Sequence, residues 1–189
     1  AYFGAGERPV ATGTRHRRAA PYQALRTADG HVTVGANTEK LWRAFCLEGC
    51  GQPGWMEDPR FRTNSLRVAN VDALEGVIES VLTTRPTGHW VERLDKAGIP
   101  GGPVYTYEQA LSDAHVLDRR MVVDIDHPVI GPMKNIGLPV KSSGSLASIR
   151  RPAPLLGEHS AEILSELGVD AARLAQLVTD GVVIDGRQR

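Results

Sequence analysis

Apolar and polar positions follow two different periods along this chain, and their order sets the expected architecture. Residues 22–27 alternate loosely and run into Asp29-Gly30, after which His31-Val32-Thr33-Val34 repeats with period two. Together they predict a hairpin. The period then lengthens. Leu41, Trp42, Phe45 and Cys46 share one helical face behind a cap at Asn37 or Thr38, with Gly49 or Gly51 as the stop. Asp58-Pro59 marks a break. Val71, Leu74, Val77, Ile78, Val81 and Leu82 recur at helical spacing up to the barrier of Pro86, and make the clearest helix in the sequence. Thr87 is placed to cap a third helix through Trp90, Val91 and Leu94, closed by Gly98 and Pro100. Thr106 with Gln109 forms a capping box for a short helix through Leu111, and Asp113 caps one further turn carrying Val116 and Leu117.

The pattern changes character from Met121. Residues 121–126 end in alternation, His127-Pro128 and Gly131-Pro132 supply turns, and Lys134–Val140 contains another candidate strand. Ser142–Pro154 is a Ser/Pro-rich connector. Two short helices follow, one through Ile163, Leu164 and Leu167 stopped by Gly168, the other through Leu174, Leu177 and Val178 stopped by Gly181. Strands and helices are segregated, which predicts an α+β fold rather than a doubly wound sheet. Residues 4–20, punctuated by Gly4, Gly6, Pro9 and Gly13, read as a second extended connector. Two such connectors in one small domain predict that they run over another body of protein. The tail Val182-Val183-Ile184 and the apolar sides of the last helices carry the same expectation.

Composition narrows the function classes. Lys plus Arg (22) balances Asp plus Glu (22), so no overall field draws the chain to nucleic acid or membrane. No run approaches the ~18 apolar residues of a membrane span. The start, Ala1-Tyr2-Phe3-Gly4, has neither a methionine nor a secretory leader, which reads as a segment of a longer intracellular, cytoplasmic protein. Cys46 and Cys50 lie four apart in a helical segment and fit packing in a reducing compartment rather than a disulfide framework. Six dispersed histidines with no His-x-His or His-x-x-x-His spacing predict no metal site.

Candidate chemistry is sparse. No Gly-x-Ser-x-Gly elbow is present. Asp124 and Asp126 project to one side of a strand, as a carboxylate pair or, more ordinarily, an exposed sheet face. Gly98–Pro103 is glycine-dense but matches neither a Walker loop nor a dinucleotide fingerprint, and by itself predicts a rigid turn. Arg15-His16-Arg17-Arg18 is the one dense basic run. It is either a solvated connector or a binder of phosphate, and without interleaved aromatics it does not read as a nucleic-acid surface.

Several phrases in fixed order carry a resemblance across nearly the whole chain. They are Gly13-Thr14-Arg15-His16 with Ala20-Pro21-Tyr22-Gln23 and Asp29-Gly30, then Asp58-Pro59-Arg60-Phe61 with Thr63-Asn64, Arg67 and Asn70. Gly98–Val104, Arg120-Met121 and Pro152–His159 follow. In these the sequence resembles the C-terminal half of the family III CoA-transferases, the group that includes formyl-CoA transferase, carnitine CoA-transferases and α-methylacyl-CoA racemase.

That resemblance implies a small α+β domain over residues 21–115, preceded by a linker (1–20) from a Rossmann-like large domain and followed by a return segment with closing helices (116–189). It implies interlocked homodimers and a coenzyme A thioester as substrate, with no permanently bound cofactor. CoA passes between carboxylic acids through an aspartyl intermediate, and that aspartate falls upstream of this sequence. A racemase-like activity, or a non-catalytic subunit needing a large-domain partner, are the alternatives. Arg15, His16 and Tyr22 fall near the active-site mouth and are the expected substrate-binding residues. Formyl-CoA transferase carries a glycine-rich loop there; this chain has none, which argues against formyl-CoA and oxalate chemistry.

Overall fold

A computed structural model describes residues 2–6, 8, 10–144 and 148–186, and the chain divides into two compact units, Ala1–Thr106 and Tyr107–Arg189. It is a mixed α+β structure with small antiparallel sheets.

In the first unit the expected hairpin forms as β1 (Tyr22–Arg26) and β2 (His31–Gly35), with Tyr22 opposite Gly35 and Leu25 opposite Val32. The period of two sends Leu25, Val32 and Val34 into the core and leaves Tyr22 and Thr33 on the outer side. A third strand, β3 (Gly101–Pro103), pairs antiparallel with β2, so the glycine-dense run expected as a turn is an edge strand. Close approach explains its composition. A Cβ on Gly101 would stand 2.6 Å from the Thr33 carbonyl oxygen and 2.9 Å from the Leu94 side chain.

Helices cover the inner side of this sheet. A turn at Tyr2–Ala5 (α1) precedes it. Thr38, rather than Asn37, caps α2 (Glu39–Ala44), accepting from the Leu41 N–H, and α2 continues as a π-turn over Phe45–Gly49. A 3-10 turn at Pro53–Met56 and a helix not evident in the sequence, α3 (Asn64–Ala69), lead to α4 (Val71–Leu82). Leu74, Ile78 and Leu82 of α4 are fully buried, each stabilising by roughly 1.5–3 kcal/mol relative to exposure. Trp90 and Leu94 of α5 (Thr87–Lys96) join Phe45 and Phe61 in the same core. Thr87 does not cap α5 as expected. Pro86 holds the cap position, while Asp29 in the hairpin turn accepts from the Thr87 N–H (2.7 Å) and its hydroxyl (2.8 Å).

The second unit opens with α6 (Tyr107–Ser112) and α7 (Ala114–Asp118), the latter capped by Asp113 as expected. A hairpin of β4 (Val122–His127) and β5 (Gly131–Ile136) follows, so the second strand begins three residues before the sequence suggests. Asp124 is exposed and paired with Lys134 across the strands (2.8 Å), the ordinary reading of a charged sheet face. Buried His127 ties the hairpin to the following connector: its Nδ1 accepts from the Val129 and Ile130 N–H groups and its Nε2 faces the Ala153 carbonyl at 3.1 Å. The closing helices are α8 (Ser160–Glu166) and α9 (Ala171–Thr179). Leu156, Leu167 and Val182 in this unit are more than two-thirds exposed.

Candidate functional site

The segment leading into β1, with Tyr22 at the head of the strand, carries the three residues expected to meet substrate, and its placement follows from a local backbone requirement. β1 is an outer strand, so part of its hydrogen-bonding capacity faces no neighbouring strand. Thr14 accepts from the Ala24 N–H through its hydroxyl (3.2 Å), and the His16 N–H donates to the Tyr22 carbonyl (3.0 Å). Further along, Glu79 of α4 accepts from the Arg26 N–H (2.8 Å). Residues 14–16 therefore run along the edge of the sheet.

The rest of the segment is fastened by residues that the basic run itself does not reveal. Asn64, the first residue of α3, donates from Nδ2 to the Arg18 carbonyl (2.7 Å) and accepts from the Ala20 N–H (3.2 Å). Arg67, fully buried, donates from Nε to the Ala20 carbonyl (2.8 Å) and from Nη1 to the Phe61 carbonyl (3.0 Å). Glu39 of α2 balances that buried cation with contacts of 2.9 and 3.2 Å, and the Trp42 ring lies 4.9 Å from its guanidinium carbon. The Arg67 guanidinium in turn holds the Glu39 carboxyl below its ordinary range. Asn64 and Arg67 stood in the sequence as parts of a family-like phrase; only the fold shows that they hold the 18–20 backbone.

His16 and Tyr22 are brought together, with ring centroids 5.1 Å apart. His16 Nδ1 accepts from the Arg18 N–H (3.1 Å), which in the neutral ring places the proton on Nε2. Arg15 sits beside them, but its guanidinium is committed to α4, at 2.7 Å from Asp72 and 2.7 Å from Glu75. Glu75 first, then Asp72, raises the Arg15 pKa above its ordinary value. Arg15 is thus a neutralised strut, whereas Arg17 and Arg18 meet no carboxylate among the described residues.

Two concavities flank this segment. One, of about 540 Å³, is bounded by Arg15–Arg18 and floored by Ala20, Val68 and Val71. The other, of about 700 Å³, lies over the outer side of the sheet, with Ala24, Thr33, Gly35 and Gly102 as its floor and His16 and Tyr22 at its rim. The floor residues are small, and a Cβ on Gly102 would meet nothing within 4 Å. Among the described residues, neither concavity is lined by a carboxylate or a thiol. Burial pushes both cysteine thiols up to about 12, so neither is a ready nucleophile. No cluster of metal-binding side chains occurs among the described residues, and no helix among them is long and apolar enough to cross a membrane. Among the described residues, the two concavities bring together basic, aromatic and small apolar side chains and no thiol or carboxylate.

Residues 1–160 match the family described as CoA-transferase family III. The sequence is 33% identical to the mouse succinyl-CoA:glutarate CoA-transferase, across 90% of this chain and 39% of that protein. It is 32% identical to an acetyl-CoA:oxalate CoA-transferase from Acetobacter aceti, across 89% and 42% respectively. Among solved structures, a CAIB/BAIF family protein from Brucella suis superposes with a TM-score of 0.67 at 30% identity, covering 88% of this chain and 42% of that one. The chain therefore spans about two-fifths of the length of these relatives.

Proposed function

The chain belongs to CoA-transferase family III, and we propose on that premise that it forms the C-terminal portion of an acyl-CoA:carboxylate CoA-transferase. The observation that carries this reading is the family match over residues 1–160, together with curated CoA-transferases that align with about nine-tenths of this chain and about two-fifths of their own length. The chemistry of such a transfer explains why this portion can lack a nucleophile. A carboxylate on the preceding domain attacks the thioester carbonyl, expelling CoA thiolate and leaving a mixed anhydride. The thiolate then attacks the enzyme's own acyl carbon and releases the donor acid. The acceptor carboxylate repeats both steps in reverse order. Covalent catalysis of this kind divides one difficult exchange into easier ones.

This portion contributes position and shelter. His16 and Tyr22 border the concavity over the sheet, and its small floor residues admit an extended chain. Water kept from the anhydride and thioester intermediates prevents their hydrolysis. The exposed Leu156, Leu167 and Val182 fit a return segment that packs against the preceding domain. The enzyme is cytoplasmic and works as an interlocked homodimer, a state that light scattering measures directly.

The test uses the native protein from its source cells, incubated with succinyl-CoA and an isotopically labelled dicarboxylic acid. Formation of labelled acyl-CoA with release of unlabelled succinate is the expected result. Hydrolysis without transfer, or exchange of the α-proton without transfer, overturns the reading.

A further inference from the structure

We propose that the concavity bounded by Arg15–Arg18 is a preformed binding site for an oxyanion, a carboxylate or a phosphate group, held by the guanidinium groups of Arg17 and Arg18 with His16. This goes further than the proposed function and rests on it only in taking the ligand from the reactants of CoA transfer.

Charge is available where it is needed. Among the described residues, Asp72 and Glu75 beside the segment are both taken up by Arg15 at 2.7 Å, and Glu75 also accepts from Gln23 (2.6 Å). Arg17 makes one long contact of 3.3 Å to the Val10 carbonyl, and the Arg18 guanidinium meets no partner among the described residues. Two cationic forks therefore line a concavity of about 540 Å³ whose floor is apolar at Ala20, Val68 and Val71. Guanidinium pairs carboxylate and phosphate oxygens bidentately, and an apolar floor strengthens such charge-assisted bonds.

An ordinary charged connector would lose that affinity to the cost of ordering its backbone. Here the cost is met during folding. His16 and Arg18 are tied through the Tyr22 carbonyl and His16 Nδ1, the Arg18 carbonyl is held by Asn64, and the Ala20 carbonyl by buried Arg67. The segment presents its arginines from a fixed frame, and Asn64 is accordingly a positioning residue for the site.

Calorimetric titration of the full-length native protein with pyrophosphate, CoA, dephospho-CoA and succinate tests the proposal. The double variant Arg17→Ala/Arg18→Ala is compared with Arg43→Ala/Arg85→Ala, which removes the same charge from two exposed positions outside the concavity. Thermal unfolding confirms that each variant folds. The expected result is oxyanion binding weakened about tenfold or more in the first variant and changed less than about twofold in the second. Asn64→Ala, which keeps every charge, weakens binding severalfold. A preference for CoA over dephospho-CoA assigns the site to the nucleotide phosphate, and a preference for succinate assigns it to an acyl carboxylate. Absence of binding to all four probes, or equal losses in the two double variants, overturns the proposal. Oxyanion binding in an enzyme that fails to transfer CoA would overturn the function and leave the site standing.

Discussion

Arg67 gives the sharpest test of how the first unit holds its substrate-side segment. Its side chain is fully buried, bonded to two backbone carbonyls and to Glu39, and stacked over Trp42. Arg67→Ala leaves the Ala20 and Phe61 carbonyls without that donor, at about 1–3 kcal/mol each. It also opens a void beneath Trp42. Together the two orphaned carbonyls and the void cost about 3–5 kcal/mol, a large part of the ~5–15 kcal/mol that usually holds a domain together. Glu39 is different: its side chain is 61% exposed, so Glu39→Gln returns most of its loss to water and costs about 1 kcal/mol. The prediction is therefore an order, Arg67→Ala well above Glu39→Gln. Trp42, Trp55 and Trp90 all lie in this unit, so tryptophan fluorescence during urea unfolding reads it directly. An Arg67→Ala protein within about 1 kcal/mol of wild type would refute the claim that this side chain fastens the segment. The sign of the pH effect follows as well. Because Arg67 lowers the Glu39 pKa, the pair's contribution is full above the ordinary glutamate value and is lost as pH falls through the depressed one. That dependence flattens in Arg67→Ala.

Asp29 behaves likewise: hydrogen bonds from the Thr87 backbone and hydroxyl lower its pKa, so acid below its ordinary range loosens the start of α5, and Asp29→Ala makes the melting temperature insensitive to that step. Gly101→Ala forces a Cβ against the Thr33 carbonyl and is expected to cost about 1–3 kcal/mol, whereas Gly102→Ala, which opens onto free space, leaves urea stability within about 0.5 kcal/mol. Equal effects at the two glycines would contradict the placement of β3. Both cysteines are buried with thiols raised to about 12, so a thiol reagent near neutral pH should label neither until denaturant is added; rapid labelling of the folded protein would contradict that burial.

Much of the framework was legible because it rests on short-range rules. The Asp29-Gly30 turn, the α4 periodicity and the Asp113 cap are local in origin, and each appears where the residues place it. What escaped the sequence depends on distant partners. Gly101–Pro103 is a strand only because β2 lies beside it, and α5 is anchored by Asp29, 58 residues away, rather than by a cap of its own. The candidate site shows the same division. Arg15, His16 and Tyr22 were visible from the family-like phrase, and His16 and Tyr22 do converge. That Arg15 would be neutralised by Asp72 and Glu75, leaving Arg17 and Arg18 as the available cations, follows from a helix packed 57 to 60 positions later. No spacing within the basic run announces it.

The central claim is that these residues serve a CoA-transferase whose nucleophile lies outside them. Its most direct test is mass spectrometry of the native protein quenched during turnover with succinyl-CoA, followed by peptide mapping. The account predicts a covalent CoA thioester on an aspartate in a peptide outside these 189 residues. An adduct on a carboxylate within them, or transfer with no adduct at all, would contradict it.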